Sequence, residues 1–141
     1  MVKHRVEEVT LSAKTNTLES TFSKLALALY NIVVDQSEVN LNNTKTIILK
    51  SKSIEDLLYQ FLKKFYDLTN NELFLLGAVK QVTIERILNE YLLTAVVVGD
   101  KMNEKYRLKD IVKQITNRGI TIKEDRNGVS AQIIIVVDRR E

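Results

Sequence analysis

Over residues 4–14, HRVEEVTLSAK, Val9, Leu11 and Ala13 alternate with Thr10, Ser12 and Lys14, the two-residue period of a strand buried on one face. The period then lengthens. Thr17 stands as a cap ahead of Leu18, Phe22, Leu25, Leu29 and Ile32, which predicts a helix over 17–33 with Glu19, Ser23 and Lys24 on its polar back. After Asp35 the turn-formers of QSEVNLNNT break the helix, and TKTIILKS reads as a short strand with Ile47 and Leu49 on one face. Ser53, with Asp56 three residues on, opens a second helix over 53–68, whose apolar stripe includes Ile54, Leu58, Phe61, Phe65 and Leu68.

From Asn70 the texture is that of strands: LFLLGA, then VKQVTIERIL, a tight turn at Asn89-Glu90, and YLLTAVVVGD, whose Ala95–Val98 core predicts burial on both faces. Residues 107–117 suit two readings. Leu108, Ile111, Val112 and Ile115 fall at helical spacing, while their β-branched content also suits a strand; a short third helix is the favoured reading. The chain then reads as a hairpin, ITIKED and SAQIIIVVD joined by Arg126-Asn127-Gly128. This order predicts an α+β two-layer sandwich, with two main helices packed on one face of a mixed, mostly antiparallel sheet. With neither repeats nor low-complexity linkers, residues 1–141 read as a single domain.

Composition narrows the chemistry. The 141 residues are 45% hydrophobic and 28% charged, a profile that excludes disorder as the main state. The absence of cysteine removes disulfides, zinc ribbons, iron–sulfur clusters and a thiol nucleophile. One histidine, His4, excludes a multi-histidine metal centre, so any metal here is held by oxygen, as calcium or magnesium is. The net charge of +3 is small for a binder of nucleic acid by charge alone, and the excess lies in residues 101–141, with ten basic side chains against six acidic. With no apolar run of membrane-spanning length and no signal-like N-terminus, the expected location is cytoplasmic, away from membranes.

No glycine-rich phosphate loop is present, the four glycines standing apart at 77, 99, 119 and 128. A Ser/His/Asp device would rest on His4 alone, near a chain end. What remains is acidic groups at element ends: Glu7 and Glu8 on the first strand, Asp35 after the first helix, and Asp138 on the last strand. Singly, each reads most simply as a solvated charge.

Taken together, LALALYNIVVDQSEV, SIEDLLYQFLKKFYDL, LLTAVVVGD and KDIVKQITNRGITI resemble, in order and spacing, the archease family over nearly the whole chain. Leu93-Thr94-Ala95 with Gly99-Asp100 resembles that family's Leu-x-Ala…Gly-Glu segment, and Lys113 to Gly119 resembles its Lys-Ala-Val-Thr-Tyr-His-Gly. The resemblance implies a non-catalytic protein cofactor of the tRNA-splicing 3′-phosphate RNA ligase, promoting guanylylation and multiple turnover. It also implies a divalent cation, calcium or magnesium, held by carboxylates from the first strand and the C-terminal end. Carried over by position, the ligands would be Glu8, Asp35 and Asp138, with Lys113 the accompanying lysine and Arg118 beside it as a partner or phosphate contact. The departures are specific. The family's His-Thr-Ala-Asp reads Arg5-Val6-Glu7-Glu8, its Tyr-His reads Asn117-Arg118, and Asp138 falls two residues later than the pattern, on the same strand face. The alternative is a chaperone-like or structural binding protein that kept the fold without the metal, for example assisting a tRNA methyltransferase, with tRNA met only indirectly.

Overall fold

The computed structural model describes residues 4–140. The first strand forms as β1 (His4–Thr15) and the two helices as α1 (Leu18–Val33) and α2 (Ile54–Glu72). Thr17 caps α1 by accepting the Ser20 amide at 3.1 Å, and Ser53 caps α2 by accepting the Asp56 amide at 3.1 Å. Each hydroxyl satisfies one of the N–H groups that a helix start leaves open. The Asp56 carboxylate turns back to the Ser51 hydroxyl at 2.7 Å, so the second cap closes on the preceding strand. α2 continues one turn past Leu68, where the apolar stripe ends. That turn is held by the Thr69 hydroxyl, which lies 2.7 Å from the Tyr30 hydroxyl and donates to the Phe74 carbonyl at 2.8 Å. Leu73, left-handed at φ 58°, then ends the helix.

The remaining strands are β2 (Asn43–Ser51), β3 (Phe74–Ile87), β4 (Glu90–Lys101), β5 (Ile111–Ile115), β6 (Thr121–Asp125) and β7 (Gly128–Arg140). The α+β class, with two helices on antiparallel strands, is as the sequence predicts. The strands divide between two sheets, however, where one was expected. One sheet has the order β2-β4-β3. The other is built on β7, which pairs with β1 along one edge and with β5 and β6, end to end, along the other. Every pairing between these strands is antiparallel, so the sheets are not mixed. α1 packs on β1, β3, β5 and β7, and α2 packs on β2 through β6, so each helix serves both sheets.

Three local expectations are corrected. Residues 107–117 form no helix: Leu108 bridges to Val34 and residues 111–115 are strand β5, because the second edge of β7 needs partners for its backbone groups. The β3–β4 turn is at Leu88-Asn89, one residue earlier than expected, with Leu88 at φ 56°. LFLLGA and VKQVTIERIL are one strand, β3, in which the ladder shifts register between Leu76 and Ala78 and again between Val79 and Gln81. The skipped Gly77 lies close to its neighbours: an added Cβ would sit 2.5 Å from the Leu41 side chain and 3.0 Å from the Val39 carbonyl. A 3-10 turn over Gln36–Glu38 follows α1.

The apolar stripes of α1 and α2 meet in an aromatic chain at the centre. Phe22 lies 5.7 Å from Phe61, Phe61 lies 5.0 Å from Phe65 nearly edge-on, and Phe65 meets Tyr30 edge-on at 5.7 Å. All four rings are essentially inaccessible to solvent. Facing them, Leu93, Ala95 and Val97 of β4 are buried; Val96, expected to be buried on the other face, is only half-buried. Among the described residues, no helix is long and apolar enough to cross a membrane. Truncation of Phe61 removes the ring that links two others, so Phe61→Ala is expected to destabilise the fold by about 3–5 kcal/mol. Urea denaturation measures this directly, and a loss below about 1 kcal/mol would mean the aromatic chain is not part of the core.

Candidate functional site

The residues singled out in the sequence converge only in part, at the end of the β7 sheet where β1 begins and β7 finishes. Register fixes which side chains share a face. Val6 stands opposite Asp138 and Glu8 opposite Val136 on β1–β7, while Ile111 stands opposite Asp138 and Gln114 opposite Val136 on β5–β7. Directly paired residues point the same way, so Glu8 and Asp138 lie on one face, away from the helices. On this face Asp138 is flanked by two apolar residues and Glu8 has a valine across from it.

Each carboxylate has a cationic or imidazole partner. Arg118, on the β5–β6 connection, reaches across β7 to bond Glu8. Its position is set by Thr116, whose hydroxyl donates to the Ile134 carbonyl at 2.6 Å and accepts the Arg118 amide at 3.2 Å. Gly119 follows at φ 65°, a turn conformation open to glycine, and an added Cβ would strike the Ile134 side chain. Asp138 Oδ2 lies 3.2 Å from His4 Nδ1, while its Oδ1 is buried without a hydrogen-bond partner among the described residues.

Asp35 is not brought to this face cluster. It caps the 3-10 turn, accepting from the Ser37 hydroxyl at 2.7 Å and the Ser37 amide at 3.2 Å. Lys113 sits where the β5–β7 register shifts, between Val112 and Gln114, with its carbonyl accepting from the Tyr66 hydroxyl at 2.8 Å. Among the described residues its ammonium has no carboxylate within ion-pair distance.

Two carboxylates that sequence reasoning did not choose as site residues are also held by several hydrogen bonds. Asp110 accepts the Arg140 amide at 2.9 Å and the Arg139 guanidinium at 3.1 Å, and Arg139 also bonds Glu7 at 2.7 Å. The Arg140 amide, with Arg139 second, holds the Asp110 carboxyl below its ordinary range; the Arg139 hydrogen bond does the same for Glu7 and raises Arg139 in turn. This network lies on the other face of the strand end from Asp138, since successive strand residues alternate. Asp100 is the second. Buried at the end of β4, it accepts from the Tyr106 hydroxyl at 2.6 Å, and that bond foremost lowers its pKa. The Tyr106 hydroxyl in turn accepts the Asn40 amide at 2.9 Å, tying two loops to the strand. The signals for Asp100 in the sequence were a carboxylate ending an apolar strand and the resemblance of Gly99-Asp100 to a Gly-Glu pair, neither of which gave it a role; for Asp110 no role could be read, because its partners lie about thirty residues away on β7.

A hard cation takes six to eight oxygens, so a protein site needs several carboxylates pointing inward together. Among the described residues no group of three or more aspartate, glutamate, histidine or cysteine side chains is arranged to hold a metal ion. Glu8 faces a guanidinium, Asp138 an imidazole, and Asp35 its own turn. The residues present do not fit a three-carboxylate cation centre; they fit a charged surface with both signs interleaved.

Residues 8–138 match the family described as the archease protein family (MTH1598/TM1083). The chain is 33% identical over 114 residues to the protein archease of Thermococcus kodakarensis, covering 80% of each, and 26% identical over 133 residues to that of Methanosarcina barkeri, covering 91% of this chain and 88% of the relative. The fold matches the solution structure of Methanobacterium thermoautotrophicum protein 1598 with a TM-score of 0.76 at 23% identity, over 94% of this chain and 96% of that one.

Together with Glu72, which the Lys45 hydrogen bond holds low, the lowered carboxyls of Glu7, Asp100 and Asp110 contribute to the acid limit of the fold. A group held below its ordinary value, 3.8 for Asp110, contributes stability that is complete above that value and is lost as pH falls through the folded value. Urea midpoints from about pH 6 down to about pH 2 should therefore fall steeply below about pH 4. In Asp110→Asn the fall should be shallower, and an unchanged slope would mean that the Arg139 network contributes nothing to it.

Proposed function

The chain belongs to the archease family, and from that premise we propose that this accessory protein of RNA processing activates a tRNA-splicing RNA ligase without chemistry of its own. The observation that carries the reading is the match of residues 8–138, nearly the whole described fold, to one family of accessory proteins. The side chains are consistent with a non-catalytic role. The single imidazole, His4, is half-exposed and faces Asp138, with no hydroxyl or thiol nucleophile bonded to it.

A factor without chemistry speeds an enzyme only by binding one state of its cycle more tightly than another, since differential affinity alone moves an equilibrium. The surface we assign to that contact is the outer face at the end of the β7 sheet. It carries Glu8, Arg118 and Asp138, and Lys113 stands in the same sheet at the β5 register shift, all on strands or their short connection. Interleaved charges of both signs suit a ligase cleft that itself holds nucleotide, metal and RNA phosphates. The cytoplasm, where tRNA halves are joined, is the location this reading requires.

The second reading, a chaperone-like binding protein that assists another enzyme such as a tRNA methyltransferase, is favoured by one observation: Glu8, standing where the family pattern has its first-strand aspartate, is engaged by Arg118. Capture with this protein as bait separates the two, the first requiring the ligase and the second a methyltransferase without it.

Two outcomes are expected. Lys113→Ala and Asp138→Ala should each abolish stimulation of guanylylation and of multiple-turnover joining by the ligase of the same cell. Lys113→Ala should change the unfolding free energy by about 1 kcal/mol or less, as for a surface substitution, and in Asp138→Ala, which removes a mostly buried carboxylate, the cooperative melting transition should persist. No stimulation by the wild-type protein would remove the ligase reading. Millimolar calcium or magnesium should leave the wild-type melting temperature unchanged, because an ion would have to displace Arg118 from Glu8. A rise in melting temperature by mass action, with heat in calorimetry, would instead establish a cation site on this face.

A further inference from the structure

We propose that the cavity between the C-terminal halves of α1 and α2 and the start of β5 binds a small amphipathic anion, a compact apolar body carrying one carboxylate- or sulfonate-class group. The cavity has a volume of about 310 Å³, at the lower end of the range of small-molecule sites, roughly 300–1,000 Å³. This site is distinct from the charged face assigned to the ligase, and its ligand does not depend on that reading.

The chemistry of the walls selects the ligand. Leu29 and Val33 of α1, Phe65 of α2, Met102 and Val112 supply an apolar lining. The hydroxyls that reach the cavity are already spent. Tyr30 donates to the Phe65 carbonyl at 3.1 Å, Thr69 to the Phe74 carbonyl at 2.8 Å, and Tyr66 to the Lys113 carbonyl at 2.8 Å. A polar body entering the floor would lose water and find these hydroxyls already engaged, so the buried part of a ligand is best apolar.

Charge at the rim selects the other end. Asp110, Lys109 and Arg140 border the cavity. Both Asp110 oxygens are occupied, one by the Arg140 amide and one by the Arg139 guanidinium. Neither Lys109 nor the Arg140 side chain has an ion pair among the described residues, so the charge left to meet a ligand is positive. The wall that carries it is pinned. The Lys109 amide donates to the Val33 carbonyl at 2.7 Å and the Asp110 amide to the Ile32 carbonyl at 3.1 Å, fixing the 108–110 segment on the end of α1. A preformed apolar floor bordered by two cationic residues without an ion pair among the described residues is matched by a ligand with the opposite pairing of features.

Two dyes that share an apolar body and differ in charge test this on the full chain: anilinonaphthalene sulfonate and neutral phenylnaphthylamine, followed by fluorescence. Both should bind the folded protein, the sulfonate tighter by about five- to tenfold, and octanoate should displace it. In the Lys109→Gln/Arg140→Gln double variant the preference should fall to about one with the neutral dye unaffected. Val33→Phe or Val112→Phe, which fill the cavity from facing walls, should abolish binding of both dyes while the melting transition persists. The proposal is overturned if the folded wild type binds neither dye, or if a folded, filled variant binds as the wild type does. An unchanged sulfonate preference in the double variant would overturn it too. Lys109 and Arg140 are rim residues whose loss leaves the core intact, so the charge comparison decides the matter even where a filled variant fails to fold.

Discussion

The structure depends on the pairing of β7. A thirteen-residue strand carries backbone donors and acceptors along both edges, and a strand buried on one face must satisfy them with other strands. β1 covers one edge from end to end, and the other edge takes two short strands in succession, β5 and β6. Everything placed at the end of this sheet follows from that arrangement. Glu8 comes beside β7 because β1 runs its full length, and Arg118 reaches Glu8 because the β5–β6 connection sits on the opposite edge. Asp110 meets Arg139 because β5 begins where β7 ends.

The same constraint explains where the sequence could be read and where it could not. The helices were legible because each carries a cap and a stripe within its own residues: Thr17 with Phe22, Leu25 and Leu29, and Ser53 with Leu58, Phe61 and Phe65. Their stripes say that they are buried but not against what, so the division of the strands into two sheets was hidden. Residues 107–117 were misread for a related reason. Leu108, Ile111, Val112 and Ile115 do fall at helical spacing, but the free edge of β7 and the open carbonyls at the end of α1 both claim this backbone. Hydrogen bonds to Ile32, Val33 and the 135–138 stretch outweigh a local periodicity.

The candidate site was legible to the same depth. That Glu8 and Asp138 share a face follows from strand parity and was available without a structure. Their partners were not, since Arg118 lies 110 residues from Glu8 and His4 lies 134 from Asp138. The local role of Asp35 was legible by a closer reading: an aspartate two residues before a serine amide is a turn-former, and the 3-10 turn uses it as one. Asp100, noted only as part of Gly99-Asp100, and Asp110 were given no role, because nothing adjacent to them marks a carboxylate held by a tyrosine hydroxyl or by the backbone amide of a remote strand.

Residues 138–140 show how closely these surfaces are joined. Alternation along the strand sends Asp138 outward to His4 and Arg139 to the opposite face, where it bonds Glu7 and Asp110. Arg140 gives its amide to Asp110 and borders the cavity. Three consecutive residues thus reach the outer charged face, an ion network and a cavity. Of the three, Arg139 alone has both ends of its guanidinium engaged by carboxylates on other strands and loops, so it is the residue that sets where the strand end lies. Arg140 is then presented from a fixed backbone, while Asp138 keeps one buried oxygen without a hydrogen-bond partner among the described residues and turns the other to His4. For a protein that acts by recognition, that is the useful division: one residue anchors the strand, and its two neighbours meet the ligand or the partner.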